Sequence, residues 1–439
     1  MMDDNQNFPN PEEPPTENSN PILDENRNAG EQPPQNQPSQ TIPAWHIQPP
    51  YAPQPPVGNW QTPNPYQYPY PYPNAYYIPP VDPVTQEKRN IFKTANGIGG
   101  MLLVKIGVEF VLSIILIAIV CVCLFVVNKS HYDFSSSESV NRFMNDALSY
   151  FTGSSLITRL INIFLYICVL GLPILFYKFF SHRKFSELFP LGVSVPSESE
   201  GQLKKKFTKN VGDFAPALFI CMGAAFIGEM FSNLVENGLH SIHLQSKPLP
   251  FDAPTDLVGF VAFFIAVAIL PAFFEEFMFR GVILQSLRKY GDGFAILISA
   301  ALFGLMHGNI TQIPYAFIIG LIIGYFVVKQ GSLWIGIFIH FFNNGIGTIV
   351  SLISQKLGSQ YDIVINYSYG LIVLLLAIIS LIYLITKNKD LFRFPQKEVS
   401  SVKLAAGSAG KAFILTPTII IFLVYIAFSC ALFLEVMPL

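Results

Sequence analysis

The sequence predicts an all-α protein: a polytopic bundle of about nine transmembrane helices with an eight-helix core, behind a disordered proline-rich N-terminal arm. Three observations carry this expectation. Hydrophobic residues are 51% of the 439 and charged residues only 13%, against about 25% charged in a typical soluble domain. Long apolar runs recur from about residue 98 to the end of the chain. Prolines crowd into one place, with 22 of 34 falling in residues 1–87.

The arm, residues 1–87, holds ten acids and one base, Arg27, and so sums to −9. Proline fixes φ and has no N–H to donate, so regular helix and sheet are disfavoured. Apolar residues are too sparse to offset the ordering entropy. The expected state is an extended, partly polyproline-II chain, either a solvated tail or a docking arm with its own partner. No basic n-region followed by an apolar stretch and a cleavage site opens the chain, so a cleaved signal peptide is not expected. The formal net charge of −2 leaves no electrostatic footprint for nucleic acid.

The body, residues 88–439, carries the spans. A membrane-crossing helix needs about 20 predominantly apolar residues. The candidate runs are 99–127, 157–180, 214–234, 257–288, 294–307, 313–328, 333–353, 365–385 and 413–436. Lys and Arg concentrate in alternate connections: before the first run (Lys88, Arg89, Lys93), between the second and third, and between the eighth and ninth. Basic loops stay on the cytoplasmic side, so the arm is expected in the cytoplasm. The last run follows a polar linker and is a candidate for a peripheral position. The cysteines, Cys121, Cys123, Cys168, Cys221 and Cys430, all fall inside the runs. Their spacing matches neither a disulfide framework nor a metal motif, and they are read as packing residues.

Ionisable groups inside a bilayer cost about 2.5–3.5 kcal/mol each even on mild scales, so they call for a reason. The fourth run contains Glu275, Glu276 and Arg280; the fifth ends in Phe303 and His307; the seventh contains His340 and Asn344. Of seven histidines in the chain, only His307 and His340 lie within apolar runs. Glu276 and Arg280 are four residues apart and share a helix face, as do His340 and Asn344. Glu275 stands about 100° around the helix from Glu276 and is free to face a cavity. Pro271 cannot donate to the carbonyl of Val267, which predicts a kink just before the carboxylates. Depth agrees. Glu275 lies about 20 Å along the helix from Arg288, His307 about 20 Å from Phe294, and His340 about 16 Å from Lys329, at 1.5 Å per residue. One carboxylate and two imidazoles are thus expected at one level, deep in the membrane.

Glu-Glu-x-x-x-Arg, then Phe-x-x-x-His, then His-x-x-x-Asn resembles the motif set of the CAAX prenyl protease and bacteriocin-processing (CPBP, Abi) family of glutamate-dependent intramembrane endopeptidases. The resemblance covers about residues 255–350. It implies that Glu275 is the carboxylate activating water and that His307 shares this water. It implies that His340 and Asn344 stabilise the oxyanion, with Glu276, Arg280 and Phe303 in support. It implies a membrane-associated protein or peptide substrate, processed at a CAAX-type C-terminus or matured in peptide production or immunity.

The chemistry is sound without the resemblance. A general base needs only a positioned acceptor within reach of water, and amide or imidazole donors in a dry cavity meet developing negative charge strongly. No cofactor is expected. One Glu and two His are adequate ligands for zinc, but no His-Glu-x-x-His segment is present, so a metalloprotease is the weaker alternative. A non-catalytic transporter or a scaffold acting through the arm also fits buried charges, but no internal repeat of the transporter kind is seen. Lys105 and Glu109 are expected to pair, and Glu229 either lines the same cavity or bonds to a neighbouring helix. Asn309 and Asn366 head sequons of low specificity.

Overall fold

The computed structural model describes residues 81–128, 132, 134–152, 156–191, 213–247, 254, 256–388, 391–392 and 406–437. The arm up to residue 80, the basic stretch 204–209 and the linker 393–405 lie outside the described residues. Residues Ile78–Leu439 form one unit, and it is helical almost throughout.

Helix α1 (Pro83–Asn128) starts where Pro83 sits just inside the first turn and Asp82 accepts from the Thr85 amide at 3.0 Å. Proline is tolerated there because that turn's N–H groups have no partner within the helix. Its 46 residues span about 69 Å, more than twice the ~30 Å hydrocarbon core. Lys105 and Glu109 pair on it at 2.6 Å. A short amphipathic helix, α2 (Ser137–Thr152), precedes α3 (Leu156–Ser181). Then come α4 (Phe214–His240), α5 (Leu257–Tyr290), α6 (Asp292–Leu305), α7 (Gln312–Gln330), α8 (Leu333–Leu357) and α9 (Asp362–Lys387). Two helices close the chain, α10 (Ala406–Ile414) and α11 (Pro417–Leu432).

All nine apolar runs are helical, but two do not make simple spans. Seven helices among the described residues are long and apolar enough to cross a membrane. The ninth run falls mainly on α11, the second helix of a pair bent by 75° that makes an eighth span if taken together. The fifth run becomes α6, only 14 residues, or about 21 Å. Leu-, Ile- and Phe-rich outer faces stay exposed, as at Phe110, Val126, Leu175 and Phe179. In a soluble protein such a surface marks an interaction site. On a bundle of long apolar helices it is the face that meets lipid, and the protein is a multi-pass membrane protein.

At the centre, α7 packs against both α6 and α4, and α4 packs against α9. α1 runs beside α3 and α11. The last pair is no peripheral addition. Phe413, Ile419, Phe422 and Ile426 are buried in the same apolar core as Phe279 and Phe303. Beyond α11, strand β2 (Leu434–Val436) pairs antiparallel with β1 (Leu244–Ser246), Gln245 opposite Glu435. This ties the end of the described chain to the α4–α5 connection. All five cysteines are free thiols.

Candidate active site

α5 positions the carboxylates, and it is not a regular helix. Wider π-helical stretches, Ile265–Ile269 and Phe277–Ile283, bracket the α-helical turn Leu270–Glu276. Such stretches are rare and favour functional sites. The expected disturbance at Pro271 is thus spread over a widened turn, and the backbone groups it frees find partners. The Val267 carbonyl, which Pro271 cannot serve, accepts from the Asn344 amide at 3.2 Å. Farther along, Ser299 Oγ donates to the Phe279 carbonyl at 2.8 Å and Gln285 Nε2 to the Arg280 carbonyl at 3.2 Å. A freed carbonyl left dry costs about 1–3 kcal/mol, so these polar side chains maintain the distortion.

Glu276 is sealed. Glu276 and Arg280 are both 0% exposed. Arg280 Nη1 donates to Glu276 Oε1 at 2.6 Å, Nη2 donates to the Gly320 carbonyl at 3.2 Å, and the guanidinium lies 4.5 Å over the Phe303 ring. His340 Nδ1 donates to the same Oε1 at 2.8 Å. The pair predicted from i,i+4 spacing is present, and His340 joins it from α8. Glu276 Oε2 has no hydrogen bond. A Cβ on Gly336 would sit 2.9 Å from that oxygen and 2.7 Å from a Val327 methyl. Only glycine lets α8 approach the carboxylate so closely.

Glu275 is the open partner. Its side chain keeps 16% exposure, and Oε2 lies 3.8 Å from His340 Nε2. Tyr166, from α3, donates its hydroxyl to Glu275 Oε1 at 2.5 Å. His340 therefore stands between the two carboxylates, Nδ1 on the sealed one and Nε2 toward the open one.

His307 lies just past the end of α6 rather than inside a span, on the turn that leads to Gly308, whose φ is +63°. His307 Nδ1 meets the Phe303 carbonyl at 2.9 Å. A carbonyl only accepts, so Nδ1 carries the hydrogen and Nε2 is the free acceptor of the neutral ring. The turn is tied down from two sides. Ser429 Oγ of α11 donates to the Gly308 carbonyl at 3.3 Å, and Ser246 Oγ of β1 donates to Asn309 Oδ1 at 3.1 Å. Asn309 is buried and also receives Thr311, so its side chain is engaged in the turn. His307 does not bond Glu275 directly. Instead Phe303 stands edge-on to both imidazoles, with ring centroids 5.3 Å from His307 and 5.8 Å from His340.

Asn344 lies one turn beyond His340. Besides holding Val267 it borders a half-polar cavity of about 500 Å³, with Tyr315, Asn343 and Glu229 in its walls. Glu229 thus lines a cavity that Asn344 shares but whose walls include neither Glu275 nor the two histidines. A second cavity, apolar and about 580 Å³, lies between α3 and α5, with Phe274 and Phe277 on either side of the carboxylates. The structure thus brings Glu275, Glu276, Arg280, Phe303, His307, His340 and Asn344 into one neighbourhood. It adds Tyr166 and Gly336, which the sequence reading missed. Tyr166 is one more aromatic in an apolar run, and nothing local marks Gly336. Among the described residues no group of three or more His, Cys, Asp or Glu side chains is arranged to hold a metal ion.

Residues 257–346 match the family model described as Type II CAAX prenyl endopeptidase, Rce1-like. No curated protein and no solved structure matches the chain. The matched segment runs from the start of α5 into α8 and takes in each motif residue above. It supports an endopeptidase activity of the CAAX type in general, and with it a membrane-associated peptide substrate. Residues 257–346 of this multi-pass membrane protein are thus similar to the CAAX prenyl protease domain.

Proposed function

We propose that the protein is an intramembrane endopeptidase in which Glu275 activates water to hydrolyse a peptide bond of a membrane-associated protein or peptide. One observation carries the assignment: of two adjacent carboxylates, Glu276 is buried against Arg280 and His340, while Glu275 is partly open. A carboxylate spent on a buried ion pair is a poor base, and an accessible one beside an imidazole is a good one.

In this reading water is held between Glu275 and His307 Nε2. Glu275 takes its proton, the oxygen attacks the carbonyl carbon, and Glu275 returns the proton to the leaving nitrogen. His340, with Nδ1 donating to Glu276, offers an Nε2–H to the oxyanion only when the ring is protonated. The buried Glu276 carboxylate behind it stabilises that charge. Asn344 supplies a second donor if its amide exchanges the Val267 carbonyl for the oxyanion. Tyr166 orients Glu275. The apolar cavity between α3 and α5 takes the lipid-like part of the substrate. No metal enters this scheme. The alternating charge of the connections sets the N-terminus in the cytoplasm, where the arm is free to dock a partner.

The test is a comparison of peptide termini in membranes carrying wild type or Glu275→Gln at equal expression. Termini that vanish only in the variant identify the protease and its substrate together. Unchanged termini would reject the proposal and favour a non-catalytic role through the arm.

A further inference from the structure

A second polar pocket lies away from the carboxylates, where α1, α3 and α5 come together. It has a volume of about 370 Å³, and its walls include Lys93, Arg183 and Lys289, one cation from each of three chain segments. Ser286 holds the arrangement. Its Oγ accepts from Arg183 Nη1 at 3.0 Å and shares a 2.8 Å hydrogen bond with Tyr177. Three cations converging on one cavity repel one another unless an anion joins them. Two carboxylates offset this in part. Glu187 pairs with Arg183 Nε at 3.6 Å, and Glu87, which accepts from the Asn90 amide at 3.0 Å, acts on Lys289 through space, leaving three cations against two acids. Lys93 and Lys289 are exposed and have no carboxylate within ion-pair distance among the described residues. Lys289 instead lies 4.8 Å over the Tyr290 ring.

We propose that this pocket binds a phosphate group. Arg183 would take it through guanidinium hydrogen bonds, with Lys93 and Lys289 closing over it as point charges. Two sources present that chemistry, an anionic phospholipid headgroup and free phosphate. The surroundings favour the lipid. The pocket sits at the ends of two apolar spans, α3 ending at Ser181 and α5 at Tyr290. Phe176 and Phe180 give it an apolar side, and Phe180 is exposed on the outer face of α3, where acyl chains would run. Basic side chains at a membrane surface recognise anionic headgroups in this way. Ser286 lies on α5, the helix that carries the carboxylates, so the ligand would brace the far end of that helix.

The full chain, purified in a neutral detergent, is titrated with phosphatidylglycerol or phosphatidylcholine while its thermal midpoint is followed. A third arm adds inorganic phosphate in phosphatidylcholine, with sodium chloride matched for ionic strength. Each lysine near an anionic surface is worth about fivefold in affinity. The double variant Lys93→Gln/Lys289→Gln changes two exposed side chains, keeps the wild-type midpoint in phosphatidylcholine, and needs about 25-fold more phosphatidylglycerol for the same rise. Arg183→Lys retains part of the response and Arg183→Gln loses it. A rise with phosphatidylglycerol alone identifies a lipid ligand. An equal rise with inorganic phosphate identifies free phosphate as the source. Either rise persisting in the double variant, or no rise in wild type, overturns the proposal.

Discussion

The two faces of α5 differ more than their sequence does. Glu275 and Glu276 are neighbours of one chemical type. Glu276 is completely buried and receives a guanidinium and an imidazole as donors, while Glu275 keeps part of its surface and receives one phenol. The sealed face is a framework: Arg280 reaches α7 through Gly320, stacks on Phe303 of α6 and, through Glu276, holds His340 of α8. The open face is where water and substrate can arrive. The lesson is that one carboxylate can be spent on architecture so that the residue beside it is left in place for chemistry.

Breaking the sealed face should give the largest effects. Removing one member of a buried pair costs about 3–5 kcal/mol because the other charge is left unpaired. Arg280→Ala is expected to lower the thermal midpoint sharply and to abolish activity with it. Arg280→Lys restores little, since one ammonium cannot serve Glu276, Gly320 and Phe303 together. Gly336→Ala comes next. Its Cβ meets Glu276 Oε2 at 2.9 Å, so α8 must move outward and carry His340 with it. A displacement of about 1 Å at a reacting group can cost 10²-fold, and kcat is expected to fall by about that factor with a smaller loss of stability.

On the open face the effects should be smaller and confined to turnover. Tyr166→Phe removes the hydrogen bond that orients Glu275, and a misplacement of about 1 Å at a reacting group can cost up to 10²-fold. The variant should lower kcat roughly 10- to 100-fold with little change in thermal midpoint. Asn344 sharpens the comparison because it belongs to both faces. Asn344→Ala strands the Val267 carbonyl and removes an oxyanion donor. Adding Pro271→Ala gives that carbonyl a backbone donor again, so the double variant should recover about 1–3 kcal/mol of stability. Turnover should stay low. Recovery of both would make Asn344 a purely structural residue.

Much of this was legible in the sequence. Charges in apolar runs must be paired or functional, so Glu275, Glu276, Arg280, His307 and His340 stood out individually, and rise per residue set them at one depth. The 3.8 Å between Glu275 and His340 agrees with that arithmetic. Three features were not legible. The π-helical turns have no residue signature, since they arise where neighbouring helices supply partners for freed carbonyls. Tyr166 acts across the bundle from a span with no other mark of function. His307 was placed inside a span, whereas α6 stops at Leu305, because apolar residues continue into the turn that Ser246 and Ser429 hold from other elements. Each depends on contacts between segments far apart in the chain, and periodicity within one segment carries no information about them.

The central claim, that adjacent carboxylates divide into a structural and a catalytic member, is tested most directly by purifying Glu275→Gln and Glu276→Gln in parallel. Thermal midpoint and turnover of a membrane-associated peptide are measured on each. The account predicts that Glu275→Gln keeps a midpoint close to wild type and loses about 10²- to 10⁴-fold in turnover, the usual worth of a general base. Glu276→Gln should lose stability first. Turnover by Glu275→Gln within twofold of wild type, or a loss of stability equal to that of Glu276→Gln, would contradict it.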